Sequence, residues 1–105
     1  MLKKVNRIHL RDEFAEVLNK GKMIQTPLFG VKVLKVKEGK AFGFVISKKI
    51  SKRAVDRNKI KRRLAEAIRI NLDKFDEGTR MIFLVRKVIL LAGMEEIEKE
   101  ILKLM

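Results

Sequence analysis

Cysteine, tryptophan and tyrosine are absent from this chain of 105 residues, and it has one histidine and one proline. Without cysteine there is no disulfide, no thiolate zinc site and no thiol nucleophile. With His9 as the sole histidine, a histidine-cluster metal site is excluded and a His-centred triad has little to be built from. Any stacking on nucleic-acid bases has to come from six Phe, from His9 or from arginine planes. The longest apolar runs, Met81 to Val85 and Val88 to Ala92, span five residues each, against roughly 20 for a membrane helix. The opening Met1-Leu2-Lys3-Lys4 lacks the apolar stretch of a signal peptide, so a cytoplasmic protein is expected. Acidic residues are also scarce: 13 Asp and Glu stand against 26 Lys and Arg, a formal net charge of +13.

What is present is a foldable chain. Hydrophobic residues make up 47% of it, too many for a disordered basic tail. The length suits one domain, residues 1–105, with one modest core. A folded surface with this much positive charge implies a polyanionic partner.

Residues 1–9 are basic and poorly patterned, and are expected to form a flexible arm. Leu10, Phe14, Val17 and Leu18 then recur at helical spacing. Asp12 and Glu13 near the start and Lys20 near the end suit the helix dipole, and Gly21 is a candidate C-cap. A short strand over Met23 to Gln25 is possible on composition. Pro27 opens a strand region, Leu28 to Lys37; Glu38-Gly39-Lys40 is a turn; Ala41 to Ser47 reads as the return strand of a hairpin. Residues 51–72 read as a second helix with Ser51 as N-cap and Ile60, Leu64, Ala67, Ile68 and Leu72 on its buried stripe. Arg80 to Arg86 is a compact apolar strand, expected at the centre of a sheet. After Gly93 a last helix sets Met94, Ile97, Ile101, Leu104 and Met105 on one face and Glu95, Glu96, Glu98 and Glu100 on the other. The order is α-β-β-β-α-β-α.

The charge is concentrated. In residues 47–63, nine of 17 are Lys or Arg and one is acidic, so this segment holds +8 and the other 88 residues +5. Arg57 and Lys61, and likewise Lys59 and Arg63, repeat like charge at a spacing of four, which opposes helix formation by a few tenths of a kcal/mol per pair. Keeping several such pairs points to phosphate contact, though physics alone leaves a DNA groove and an RNA backbone both open.

Arg57-Asn58-Lys59-Ile60-Lys61-Arg62, preceded by Val45-Ile46-Ser47-Lys48-Lys49 at a connection of seven residues, resembles the motif of the protein subunit of bacterial ribonuclease P. Arg11-Asp12-Glu13-Phe14 with Val17 and Gly21, Gly43 in the strand and Arg86-Lys87 after the last strand extend the resemblance over nearly the whole chain. It implies an α/β (α+β) two-layer sandwich, ribosomal protein S5 domain 2-like. Its four-stranded mixed sheet would have a left-handed βαβ crossover, the rare hand. It implies an accessory subunit of an endoribonuclease that removes 5′ leaders from precursor tRNA. The large RNA subunit, with the Mg²⁺ it requires, would perform the hydrolysis. No protein side chain would be catalytic or bind a cofactor, and the free protein would be a monomer.

The residues the resemblance assigns to RNA are Lys48, Lys49, Lys52, Arg53, Arg57, Asn58, Lys59, Lys61 and Arg62. It assigns Phe14, Lys32 and Arg11 to a cleft for the single-stranded leader. Phe14 has two readings, since its stripe with Leu10, Val17 and Leu18 says core while the resemblance says cleft wall. Phe42, Phe44, Phe75 and Phe83 are expected in the core, Phe29 is undecided, and His9 is expected to be exposed in the arm. The chain departs from the family pattern at Lys59, usually Arg, and at Leu18 and Lys32, where many relatives have aromatics. Leader contact is therefore expected to be more electrostatic and less stacked. The competing readings are a ribosomal-type RNA-binding protein and a DNA-binding architectural protein. A protein-only nuclease fits least, because Asp12, Asp56, Asp73 and Asp76 are scattered.

Overall fold

The run around Phe83 does not alternate between apolar and polar residues, which is the pattern of a strand covered on both sides. In the computed structural model, which describes residues 2–105, that strand is one of the two inner strands of a four-stranded sheet. The elements in chain order are α1 (Arg11–Lys20), β1 (Lys22–Gln25), β2 (Phe29–Lys35), β3 (Ala41–Val45), α2 (Ala54–Ile70), β4 (Thr79–Val85) and α3 (Met94–Leu102). Short 3₁₀ turns occupy Lys4–Asn6, Leu72–Lys74 and Lys87–Leu91. The sheet order is β1-β2-β4-β3, with β1 and β2 antiparallel, β2 and β4 antiparallel, and β3 and β4 parallel.

This order corrects the expected hairpin. β2 and β3 follow one another in sequence, yet β4 lies between them. A strand buried on both faces needs a neighbour on each side, and β2 and β3 supply the two. The true hairpin is β1 with β2, in register Ile24 to Val31 and Met23 to Lys32. A parallel β3–β4 pair cannot be closed by a turn and needs a crossover, which α2 provides.

Alternation then sorts the side chains. Phe29, Val31, Phe42, Met81, Phe83 and Val85 point to the face covered by α2 and α3, where they meet Ile60, Leu64, Ile68, Ile97 and Ile101. Phe29 and Phe83 meet edge to face at 5.1 Å, as do Phe42 and Phe75 at 5.0 Å, while Phe44 stacks on Phe83 at 5.8 Å. The undecided Phe29 is thus a core residue, fully buried like Phe83. The opposite face presents Ala41, Ile82, Leu34 and Leu84, packed by Phe14, Val17 and Leu18 of α1 and by Ile8. The expected sandwich therefore has α1 as partial cover on its second face.

Three local expectations are corrected. The arm over residues 1–9 is fixed along the part the structure describes; residue 1 lies outside the described residues. Leu2 and Ile8 are buried, Arg7 bridges Phe42 in parallel, and the Ile8 N–H donates to the Phe42 carbonyl at 2.9 Å. The physical reason is that β3 is an edge strand whose free backbone groups need partners, and two apolar residues bracket the basic ones. Ser51 is not the N-cap of α2, which starts at Ala54. Its Oγ accepts from the Arg53 N–H at 3.2 Å and donates to the Asp56 carboxylate at 2.9 Å. The return strand ends at Val45, so Ser47 to Lys49 lie in the turn that follows.

Gly39 and Gly78 have φ of +84° and +82°, and join the β2–β3 connection to the start of β4 through a Gly78 N–H to Gly39 carbonyl bond of 2.9 Å. A Cβ at Gly78 would overlap the Val36 carbonyl oxygen. Gly78→Ala is expected to destabilise the fold by about 1–3 kcal/mol, read as a lower urea midpoint. An unchanged midpoint would contradict this strand junction.

Candidate nucleic-acid interface

The basic segment is held outward by its few apolar residues. Ile50 is buried and Ile46 packs against the same core, so the loop between β3 and α2 is pinned while Lys48, Lys49, Lys52 and Arg53 are exposed. On α2 the buried stripe Ile60, Leu64, Ala67 and Ile68 faces α3 and the sheet, leaving Asn58, Lys59, Lys61 and Arg62 exposed. Arg57 is half-buried and its guanidinium donates to the Ser51 carbonyl at 2.8 Å; Arg63 likewise reaches the Ala92 carbonyl at 3.0 Å. These two arginines serve the fold as well as the charge.

The few carboxylates near this ridge are engaged locally. Asp56 takes the Ser51 hydroxyl and lies 3.9 Å from Arg53. Glu66 is bonded by Arg69, and that hydrogen bond holds its carboxyl below the ordinary carboxylate range. The charge upstream on α2 is left to the solvent.

The cations of α2 face hollows on two sides of the helix. Lys59, Arg62, Arg63 and Met94 line one of about 430 Å³, together with Glu66. Lys61 turns the other way, into a hollow of about 130 Å³ shared with Arg7, Phe14, Gly43 and Phe44. Phe14 also lines a neighbouring hollow of about 370 Å³ with His9, Leu10, Arg11 and Leu18. Phe14 is half-buried and lies over Gly43: one side of the ring packs on the sheet, as the core reading expects, and the other borders open space.

Arg11 and Phe14 are therefore brought together. Lys32 is less close. It is half-buried on the α1 side of β2, in register with Ile82, which in turn pairs with Gly43. Two strand spacings, roughly 10 Å, separate its backbone from Gly43, and Lys32 lines neither hollow that Phe14 borders. Sequence reasoning missed Lys4 and Arg7, which join His9 and Lys61 around a hollow of about 290 Å³. The signal was Leu2 and Ile8, the apolar residues that tie this segment down. Among the described residues no three His, Asp or Glu side chains form a group that could hold a metal ion, and no helix is long and apolar enough to cross a membrane.

The family model described as Ribonuclease P matches residues 2–105. The chain belongs to the ribonuclease P protein family. It is 35% identical over 107 residues to the ribonuclease P protein component of Alkaliphilus oremlandii, covering 99% of this chain and 91% of that one. It is 37% identical over 103 residues to that of Bacillus cereus strain G9842, covering 96% and 89%. Among solved structures, the RNase P protein from Thermotoga maritima superposes with a TM-score of 0.83 at 26% identity, covering 93% of each chain. That from Staphylococcus aureus gives 0.79 at 26% identity, covering 99% of this chain and 92% of that one. Membership makes this a component of a ribonucleoprotein nuclease of tRNA processing, with an RNA partner.

A Cβ on residue 43 would lie 2.8 Å from Phe14 Cε2 and 3.4 Å from Ile82 Cγ1. Gly43→Ala is therefore expected to displace the Phe14 ring and to cost about 1–3 kcal/mol. Aromatic NMR resonances of Phe14 would move; unchanged resonances would contradict the close packing.

Proposed function

We propose that the chain is the positioning subunit of ribonuclease P: it docks on the catalytic RNA and holds the 5′ leader of precursor tRNA. The observation that carries this reading is the groove beside α1. There a half-exposed aromatic ring and cations meet next to the basic helix, and among the described residues no carboxylate lines the groove. In this reading hydrolysis belongs to the RNA subunit with its Mg²⁺; among the described residues no three His, Asp or Glu side chains gather to hold an ion. The cellular setting is the cytoplasm, and the free protein is a monomer.

The two tasks have different chemistry. Docking uses Lys48, Lys49, Lys52, Arg53, Arg57, Asn58, Lys59, Lys61 and Arg62 against RNA phosphates, contacts that fix orientation. Leader holding uses Phe14 and Arg11 beside the groove, with Lys32 further along the same sheet face. A Phe face stacks any base at roughly 1–3 kcal/mol with little preference, which suits leaders of differing sequence. Only a precursor has a strand to fill the groove, so precursor is favoured over mature tRNA. With Leu18 and Lys32 in place of aromatics, binding leans on charge. Five phosphate contacts to a single strand would give a log-log salt slope of roughly −3.5.

Because Arg57 also holds Ser51, docking is better probed at exposed positions that make no such bond. Lys59→Ala with Arg62→Ala is expected to weaken assembly with ribonuclease P RNA by roughly tenfold or more at low salt. An unaltered dissociation constant would remove the docking role. Phe14→Ala is expected to weaken holoenzyme binding of precursor tRNA by about 1–3 kcal/mol while mature tRNA is little affected. Equal losses for both would remove the leader role. The decisive reconstitution is cleavage of precursor tRNA by the RNA subunit at low Mg²⁺, expected to be slow alone and rapid with this protein.

A further inference from the structure

Arg80 belongs to none of the sites described above, and it stands where a cation is costly. It lies near the start of β4, in register with Leu34 on one side and Ala41 on the other, on the sheet face that α1 covers. Only 14% of its side chain is exposed. Burying a guanidinium is unfavourable unless its N–H groups are answered. One Nη donates to the Gly39 carbonyl at 2.7 Å and the Thr79 carbonyl at 3.2 Å, and the other to the Glu38 carbonyl at 3.3 Å. The Nε–H is buried with no hydrogen-bond partner among the described residues, and the Glu13 carboxylate of α1 lies 3.6 Å from it. The turn that Arg80 grips is itself braced. The Gly39 N–H donates to the Glu77 carboxylate at 2.6 Å, Asn6 Nδ2 donates to the Lys40 carbonyl at 2.7 Å, and Lys40 Nζ donates to the Leu72 carbonyl at 3.0 Å. Arg80 thus joins α1 to a fixed frame.

The rest of the seat under α1 is apolar: Phe14, Val17 and Leu18 pack on Ala41, Ile82 and Leu34. Such contact is non-directional, so by itself it lets a helix slide or roll. The attraction between Glu13 and Arg80 adds direction, and the contact of Phe14 with Gly43 sets the stop, since a Cβ there would come within 2.8 Å of the ring. Glu13 and Phe14 are neighbours on one rigid helix, so a roll that moves the carboxylate moves the ring. A roll of about 10° displaces side chains at the helix surface by ~1 Å. We propose that Arg80 is a positioning residue for the ribonuclease P function of this chain: through Glu13 it sets the roll of α1, and so the place of Phe14, without touching RNA itself. The proposal rests on the role given to Phe14 above and goes beyond it by naming the residue, outside the hollows that Phe14 borders, which decides where that ring stands.

The test replaces Arg80 by Met, which fills similar space without charge or donors, and by Lys, which keeps a charge facing Glu13. Two readouts are taken. In the free protein, nuclear Overhauser contacts between the Phe14 ring and the Ile82 side chain report where α1 sits; Arg80→Met is expected to weaken them and Arg80→Lys to keep most of them. In the reconstituted holoenzyme, Arg80→Met is expected to lower the ratio of precursor to mature tRNA affinity about fivefold, with RNA-subunit assembly within about twofold of wild type. Arg80→Lys should recover most of that ratio. A residue that acts through Phe14 has nothing left to act on once the ring is gone, so Arg80→Met added to Phe14→Ala should change the ratio no further. Unchanged Phe14 contacts in Arg80→Met overturn the proposal, as does a loss fully additive with that of Phe14→Ala or one shared equally by RNA-subunit assembly. If Phe14→Ala alone leaves the ratio untouched, the leader reading fails, and the ring contacts still decide whether Arg80 sets the helix.

Discussion

Parallel pairing of β3 with β4 is the constraint from which the molecule's arrangement follows. Parallel neighbours cannot be joined by a tight turn, so the chain must leave the sheet, run back along it and re-enter. The segment that makes this return is α2, and it carries the densest positive charge in the sequence. Its apolar stripe is spent on the core shared with α3, so the charge has nowhere to go but outward. The same pairing sets Phe42 and Phe44 against Met81 and Phe83 on one face, and Gly43 against Ile82 on the other. One strand thereby builds the core with two rings and leaves room for Phe14 with the residue between them.

Much of this was legible in the sequence. Helical spacing located α1 and α2, and the non-alternating Met81 to Val85 run announced a central strand. The exposure of Asn58, Lys59, Lys61 and Arg62 followed from the stripe beside them. Strand order was not legible, because two strands separated by a short polar connection look alike whether they pair or hold a third strand between them. Only the demand of β4 for neighbours on both sides decides it, and that demand is satisfied at long range. Ser51 was misread for a related reason: a serine ahead of a helix can bond the first N–H groups or brace the loop before them. Here the Asp56 carboxylate five residues on draws it to the second task.

The candidate site was less legible than the fold. The basic motif stands out by composition, whereas its division between two hollows depends on how α2 is rotated against the sheet. Arg7 had no signal of its own. A basic residue in a basic stretch reads as solvated until Leu2 and Ile8 are seen to enter the core and the β3 edge to take up the backbone. Lys32 came to the cleft through the family resemblance alone; the structure sets it on the α1 side of β2, away from the hollows that Phe14 borders.

The rotation of α2 also ties the two hollows together mechanically. Lys61 looks toward one and Lys59 and Arg62 toward the other from a single rigid rod, fastened by Arg57 at the Ser51 carbonyl and by Arg63 at the Ala92 carbonyl. The spacing between the two sets of cations is therefore set by the helical repeat and not by either hollow.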